Sequence, residues 1–184
     1  PCDWVIRLDA DEYFEPDLVA SILRGVEEND KSICGFVFNR RIRFLGNDIF
    51  HGGVFPVEVV RMFRYGLGVV ESRLMDEHIV VSGKTIRLSG ELIDDNLSSL
   101  SWWIEKHNRY SSLEALEMLC SNDKPFIEEK LSGATRKRRL MKAGYQKVPL
   151  PFRASLLFVY RYFIRLGFLD GFYGFLFHFF QGYR

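Results

Sequence analysis

Asp9-Ala10-Asp11 sets two carboxylates one residue apart, directly after the apolar run Trp4-Val5-Ile6 and Leu8. Acids in that spacing can share a divalent cation. A hard ion such as Mg²⁺ takes only one or two protein carboxylates and fills its other positions with water and phosphate oxygens. The chemistry this suggests is neutralisation of charge on a phosphate-bearing substrate. A second ionisable group, Asp76-Glu77-His78, offers a proton acceptor for an attacking hydroxyl, although a surface turn with a local Asp–His pair would read the same way.

The elements that must position these groups are those of an α/β fold. The run from Trp4 to Leu8 reads as a strand buried on both faces of a parallel sheet, which would put Asp9 and Asp11 beyond its carboxyl end, where ligands of open α/β sheets bind. Pro16 suits the first position of a helix, and Leu18, Val19, Ile22, Leu23 and Val26 recur at helical spacing on one packing face. Ile33–Phe38 and Ile42–Leu45 read as two strands, with a turn at Gly46-Asn47-Asp48. His51, beside two glycines, reads as an ordinary loop residue. Val57–Phe63 forms a strand that carries Arg61 and Arg64. Ile79–Val81 and Thr85–Leu88 flank a Ser-Gly turn and predict a hairpin, with Asp76-Glu77-His78 at its start. Ser98 or Ser99 caps a long helix to about Cys120, with a stripe of Leu100, Trp103, Tyr110, Leu113, Leu116 and Cys120. One of the adjacent Trp102 and Trp103 must lie off that stripe.

At 184 residues and 47% hydrophobic content the chain can bury a real core, which excludes disorder. A formal charge of +1 gives no overall case for nucleic acid, although Arg136 to Lys147 forms a local basic cluster. Three widely spaced cysteines favour a reducing compartment. From Pro149 the chain becomes rich in Phe, Leu and Tyr, interrupted by Arg153, Arg161, Arg165 and Asp170. No uninterrupted apolar stretch there reaches the roughly 20 residues of a bilayer span. Aromatic residues beside arginines suit helices lying in the interface of an anionic leaflet, or packed on other protein.

Trp4-Val-Ile-Arg-Leu-Asp-Ala-Asp-Glu-Tyr13 resembles the metal-binding motif of GT-A glycosyltransferases, in the version of family 2 enzymes that build bacterial surface polysaccharides. Other Asp-x-Asp families fit less well. A haloacid-dehalogenase-like phosphatase would want Thr or Val where Tyr13 stands, and an EF-hand loop would want an acid there and a Gly in place of Phe14. Arg61-Met-Phe-Arg64 is similar to the segment preceding the catalytic acid in these transferases, and Trp102-Trp-Ile-Glu-Lys106-His-Asn-Arg109-Tyr110 to their following helix.

The resemblance implies the C-terminal part of a GT-A fold (1–120) followed by amphipathic, membrane-associated helices (121–184). It implies a fragment without the N-terminal nucleotide-binding part, and no counterpart for a third His ligand, Ile93-Asp94-Asp95 standing there instead. Asp9 and Asp11 would hold Mg²⁺ or Mn²⁺, Glu77 or Asp76 would be the base of an inverting transfer, and Arg61, Arg64, His78, Trp102, Lys106 and Arg109 would bind substrate. A nucleotide-sugar donor, a glycan or polyprenyl-linked acceptor and the cytoplasmic face of the cell membrane follow as expectations, with no nucleic acid partner. The competing class is a non-catalytic, membrane-associated interaction domain whose acids are merely solvated.

Overall fold

The computed structural model describes residues 3–28, 30–71, 78–120 and 149–182. It is a mixed α/β arrangement. A six-stranded sheet is built from β1 (Trp4–Ile6), β5 (Val57–Arg64), β3 (Ile33–Phe44), β8 (Lys84–Asn96) and β2 (Glu12–Phe14) in that order, with β4 (Asn47–Ile49) paired to β3. A separate ribbon joins β6 (Gly68–Val70) to β7 (Ile79–Val81). Only the central β3–β8 ladder is parallel among the described strands.

Three strand expectations are corrected. The β1 strand does not lie inside a parallel sheet: it runs antiparallel to β5 at the end of the strand order, in register Trp4↔Arg64 and Ile6↔Met62, and both Ile6 and Leu8 are exposed. An apolar run reports apolar neighbours and not strand direction. Here Trp4 gains them by stacking on Phe36 at 4.7 Å, with the Arg64 guanidinium 4.4 Å from its ring centroid. Secondly, the two segments around Asn39-Arg40-Arg41 form one strand of 12 residues. Its polar middle is tolerated because Arg41, almost fully buried, is paired with Glu15, Asp48 and Glu91. Thirdly, Ile79–Val81 does not pair with the segment that follows. It pairs with β6 in register Val69↔Val80, which leaves β8 to run beside β3.

The helix α1 (Pro16–Glu27) starts with Glu15 as N-cap and Pro16 in its first turn. Its buried face is Leu18, Ser21, Ile22 and Gly25, so Val19 and Leu23 of the expected stripe stand in solvent instead. The stripe rotated because small residues seat the helix on the sheet. A Cβ on Gly25 would meet the Phe36 ring at 3.0 Å, and one on Gly90 would lie 2.4 Å from the Leu18 backbone nitrogen. Leu18, Ile22, Phe36, Phe38, Met62 and Leu92 then form the main core.

A second core lies at the far end of β3. Phe44 and Ile49 meet Trp103 of α2 (Leu100–Cys120) and Phe177 of α4 (Gly171–Gly182). Ser99 caps α2 by accepting from the Trp102 backbone N–H at 3.3 Å. Trp103 is buried while Trp102 is exposed, as their adjacency on a helix requires. The α2 stripe does not continue to its end, since Leu116 is exposed. The chain reaches α4 through α3 (Leu150–Val159), a π turn (Tyr160–Ile164) and a 3₁₀ turn (Gly167–Asp170), bending by 77° near Leu166, whose φ is +61°. No single described helix is long and apolar enough to cross a membrane.

Candidate functional site

The turn after β1 gathers the acids. Glu12 N–H donates to the Asp9 carbonyl at 3.0 Å, closing the turn, and the buried Glu12 carboxylate accepts from the Asp9 backbone N–H at 3.1 Å. From the neighbouring strand β5, Arg61 Nη2 reaches Asp9 Oδ2 at 2.7 Å and Glu12 Oε1 at 2.5 Å. Burial works against the Arg61 charge, but Glu12 and Asp9 outweigh it and hold the guanidinium protonated. Asp11 sits on the other side of the turn, 3.3 Å from Lys106 Nζ of α2, and its carbonyl accepts from the Asp95 backbone N–H at 2.8 Å.

Asp9, Asp11 and Lys106 border a cleft of about 230 Å³ between the sheet, α2 and α4. Asp9 and Asp11 form its acidic rim, Arg40, Arg43 and Lys106 supply positive charge, and Trp103, His107, Tyr110 and Phe177 form its apolar side. His107 stacks on Trp103 at 3.6 Å, and its Nδ1 donates to the Trp103 carbonyl at 2.9 Å. Two donors in this wall, Arg40 Nε and Asn96 Nδ2, are buried and have no hydrogen-bond partner. Asp94 lies across from Arg40 at 3.6 Å. Burial raises its carboxyl above the ordinary aspartate range; Arg40 pulls it back, and the charges of Asp11 and Glu12 push it further up.

The expected site residues divide sharply. Asp9, Asp11 and Lys106 come together in the cleft, with Arg61 tied to Asp9 behind them. Trp102 is exposed beside it, with Lys106 Nζ 4.9 Å from its ring centroid. Arg64 is elsewhere, bonded to the Ile33 carbonyl at 2.8 Å and the Asp30 carbonyl at 3.2 Å and lying over Trp4. His78 opens towards β7, its backbone N–H on Glu71 Oε2 at 3.2 Å, and neither it nor the exposed Arg109 lines the cleft. Asp76 and Glu77 lie outside the described residues, as does the basic cluster from Arg136 to Lys147.

Sequence reasoning assigned no role to Arg40, His107 and Gln181, which line the same cleft, and met Asp94 only where a third His ligand would stand. For Arg40 a signal was present: charged residues inside an otherwise apolar strand need a reason to be there. Among the described residues no group of three or more His, Cys, Asp and Glu side chains is arranged around one point for a metal ion. Asp9 and Asp11 alone supply two hard oxygen donors on one cleft, which fits an ion that takes the rest of its shell from water and phosphate. The sequence matches no protein-family model and no curated protein.

Proposed function

We propose that this chain carries the metal and acceptor side of a GT-A type glycosyltransferase, which moves a sugar from a nucleoside-diphosphate donor to a glycan or a polyprenyl-linked acceptor. The observation that carries the reading is the cleft itself: two carboxylates one residue apart share it with Arg40, Arg43 and Lys106, and aromatic residues run along one side. That combination suits a diphosphate joined to a sugar ring.

Asp9 and Asp11 would hold Mg²⁺ or Mn²⁺, which when bound neutralises charge on the departing diphosphate. Lys106 and Arg40 take the phosphate oxygens that the ion leaves exposed. Tyr110 and Trp102 offer ring faces to the sugar. Glu77 or Asp76 accepts the acceptor hydroxyl's proton as its oxygen bonds to the anomeric carbon and the bond to the diphosphate oxygen breaks, with inversion. The work would take place at the cytoplasmic face of the cell membrane. One observation favours the non-catalytic reading, since Arg61 and Lys106 already compensate Asp9, Glu12 and Asp11. Calorimetric titration of the full chain with UDP, with and without Mn²⁺, separates the two. Metal-dependent nucleotide binding that Asp11→Asn abolishes supports transfer chemistry, and identical weak binding by both forms rejects it.

A further inference from the structure

Of the described residues, Arg40, Arg43 and Lys106 bring positive charge to the cleft, and the two arginines are paired with acids outside the Asp9–Asp11 motif. Arg40 faces Asp94 at 3.6 Å, and Arg43 is bonded to Asp48 and to the Tyr13 hydroxyl at 2.8 Å each. Lys106 differs. Its carboxylate partner is Asp11 itself at 3.3 Å, and the two side chains keep 29% and 35% of their surface in solvent. Trp102, Lys106 and Tyr110 follow one another at four residues along α2, so they share one helix face. The ammonium therefore lies between a carboxylate and two rings, 4.9 Å from the Trp102 centroid and 5.8 Å from that of Tyr110.

The cation on the other acid is fixed. Arg61 Nη2 bridges Asp9 to Glu12, with 11% of the Arg61 side chain and 1% of the Glu12 side chain exposed, so moving it would strand a buried carboxylate. Lys106 is held more loosely. A single, partly exposed Lys–Asp pair is worth at most about fivefold in an equilibrium. Its stem is flexible, and the two ring faces offer the ammonium a second resting place beside the same cleft.

On the reading of Asp9 and Asp11 as metal ligands, we propose that Lys106 is the tethered counter-ion of Asp11, giving way to a divalent cation and then turning to the anion of the incoming ligand. A doubly charged ion on Asp11 repels an ammonium 3.3 Å from the same carboxylate, and the weaker cation moves. Lys106 Nζ then faces the cleft from over Trp102 and Tyr110, its charge no longer engaged by protein. A diphosphate gains this donor only once the ion is in place, so ion and diphosphate bind with positive coupling.

The test is Mn²⁺ binding to the full chain, followed through the paramagnetic resonance of the free ion, in wild type, Lys106→Met and Lys84→Met. Met keeps the apolar stem and removes the charge. Without nucleotide, Lys106→Met binds Mn²⁺ about threefold to tenfold tighter than wild type, because no internal cation competes. In saturating Mn²⁺ the same variant binds UDP at least about tenfold more weakly by calorimetry, because the donor is gone. Lys84→Met, at the opposite end of β8 from Asp94, changes neither affinity. Circular dichroism melts confirm that all three fold. Equal or weaker Mn²⁺ binding by Lys106→Met, or equal UDP affinity in that variant and wild type, overturns the proposal and leaves the metal site standing. Wild-type Mn²⁺ binding that is absent, or that Asp11→Asn leaves unchanged, overturns the metal reading of the acids and the proposal with it.

Discussion

His51 and Asp170 stand 119 residues apart in the chain, and the imidazole Nδ1 lies 2.6 Å from the carboxylate Oδ1. The other carboxylate oxygen accepts the backbone N–H groups of Phe50 at 3.2 Å and His51 at 2.8 Å. One buried acid thus fastens the 3₁₀ turn before α4 to the loop after β4. Gly52 adds a bond from its N–H to the Arg165 carbonyl at 2.9 Å. Asp170→Ala removes the acceptor for all three donors and is expected to cost about 3 kcal/mol of unfolding free energy. Urea denaturation of the full chain measures it. A change below about 0.5 kcal/mol would mean that the contact contributes nothing net to holding the helices.

Arg41 is held by Glu15, Asp48 and Glu91, so Arg41→Met leaves three carboxylates around an apolar side chain. The expected loss is about 1–3 kcal/mol, because the three carboxylates are partly exposed and Asp48 keeps Arg43. Asp48 gives the same network a pH signature. Hydrogen bonding from Arg43 holds its carboxyl below the usual aspartate range; burial opposes this, and Arg41 adds to the lowering. A depressed folded value means stability that is present above the unfolded aspartate value of about 3.9 and is lost as pH falls through the folded one. Acid titration of stability in wild type and Asp48→Asn checks this, since the variant must show the shallower slope.

His178 is fully buried, and neither ring nitrogen has a hydrogen-bond partner. Burial lowers its pKa to about 4; Arg161 acts in the same direction, Asp170 opposes both and His51 adds a little to the lowering. The unfolded chain takes up this proton near 6.5, so the stabilising difference is complete above that value. It is lost as pH falls from about 6.5 towards 4, by about 3 kcal/mol in all. Across that range the unfolding free energy of the wild type should fall more steeply with falling pH than that of His178→Leu, which lacks the titrating group. Parallel curves would show that the imidazole is hydrated after all.

On the proposed function, Asp9→Asn and Asp11→Asn should each lower sugar-transfer turnover by at least about a hundredfold with little loss of stability, because neither side chain is buried in a core. Full activity in excess EDTA would remove the metal from the scheme. On the same proposal, Glu77→Gln keeps size and hydrogen bonding but removes the proposed proton acceptor, so turnover should fall steeply with donor affinity preserved. A larger defect in Asp76→Asn assigns the base to Asp76 instead.

Local rules made α1, β5 and the start of α2 legible, because Pro16, the alternation from Val57 and the Ser99 cap act within a few residues of themselves. Pairing partners were not legible in the same way. Ile79–Val81 beside a Ser-Gly turn looks like half a hairpin, yet β8 finds β3, about 50 residues earlier, and its strand direction is set by that long-range choice. The Arg41 network escaped notice for the same reason, its three acids lying 26, 7 and 50 residues away. Asp9 and Asp11 were singled out by type and spacing and Lys106 by the resemblance of its helix, and the structure brings the three to one cleft. The approach of Arg40 to Asp94 was not legible, since only the β3–β8 pairing brings them together.

Phe177 of α4 carries a thermodynamic obligation, because the same ring fills the second core and lines the cleft. If a ligand in the cleft shifts that ring at all, it changes the free energy of the core behind it. Linkage then runs both ways: the free energy by which a loosened core alters cleft binding must equal the free energy by which the cleft ligand alters the stability of that core.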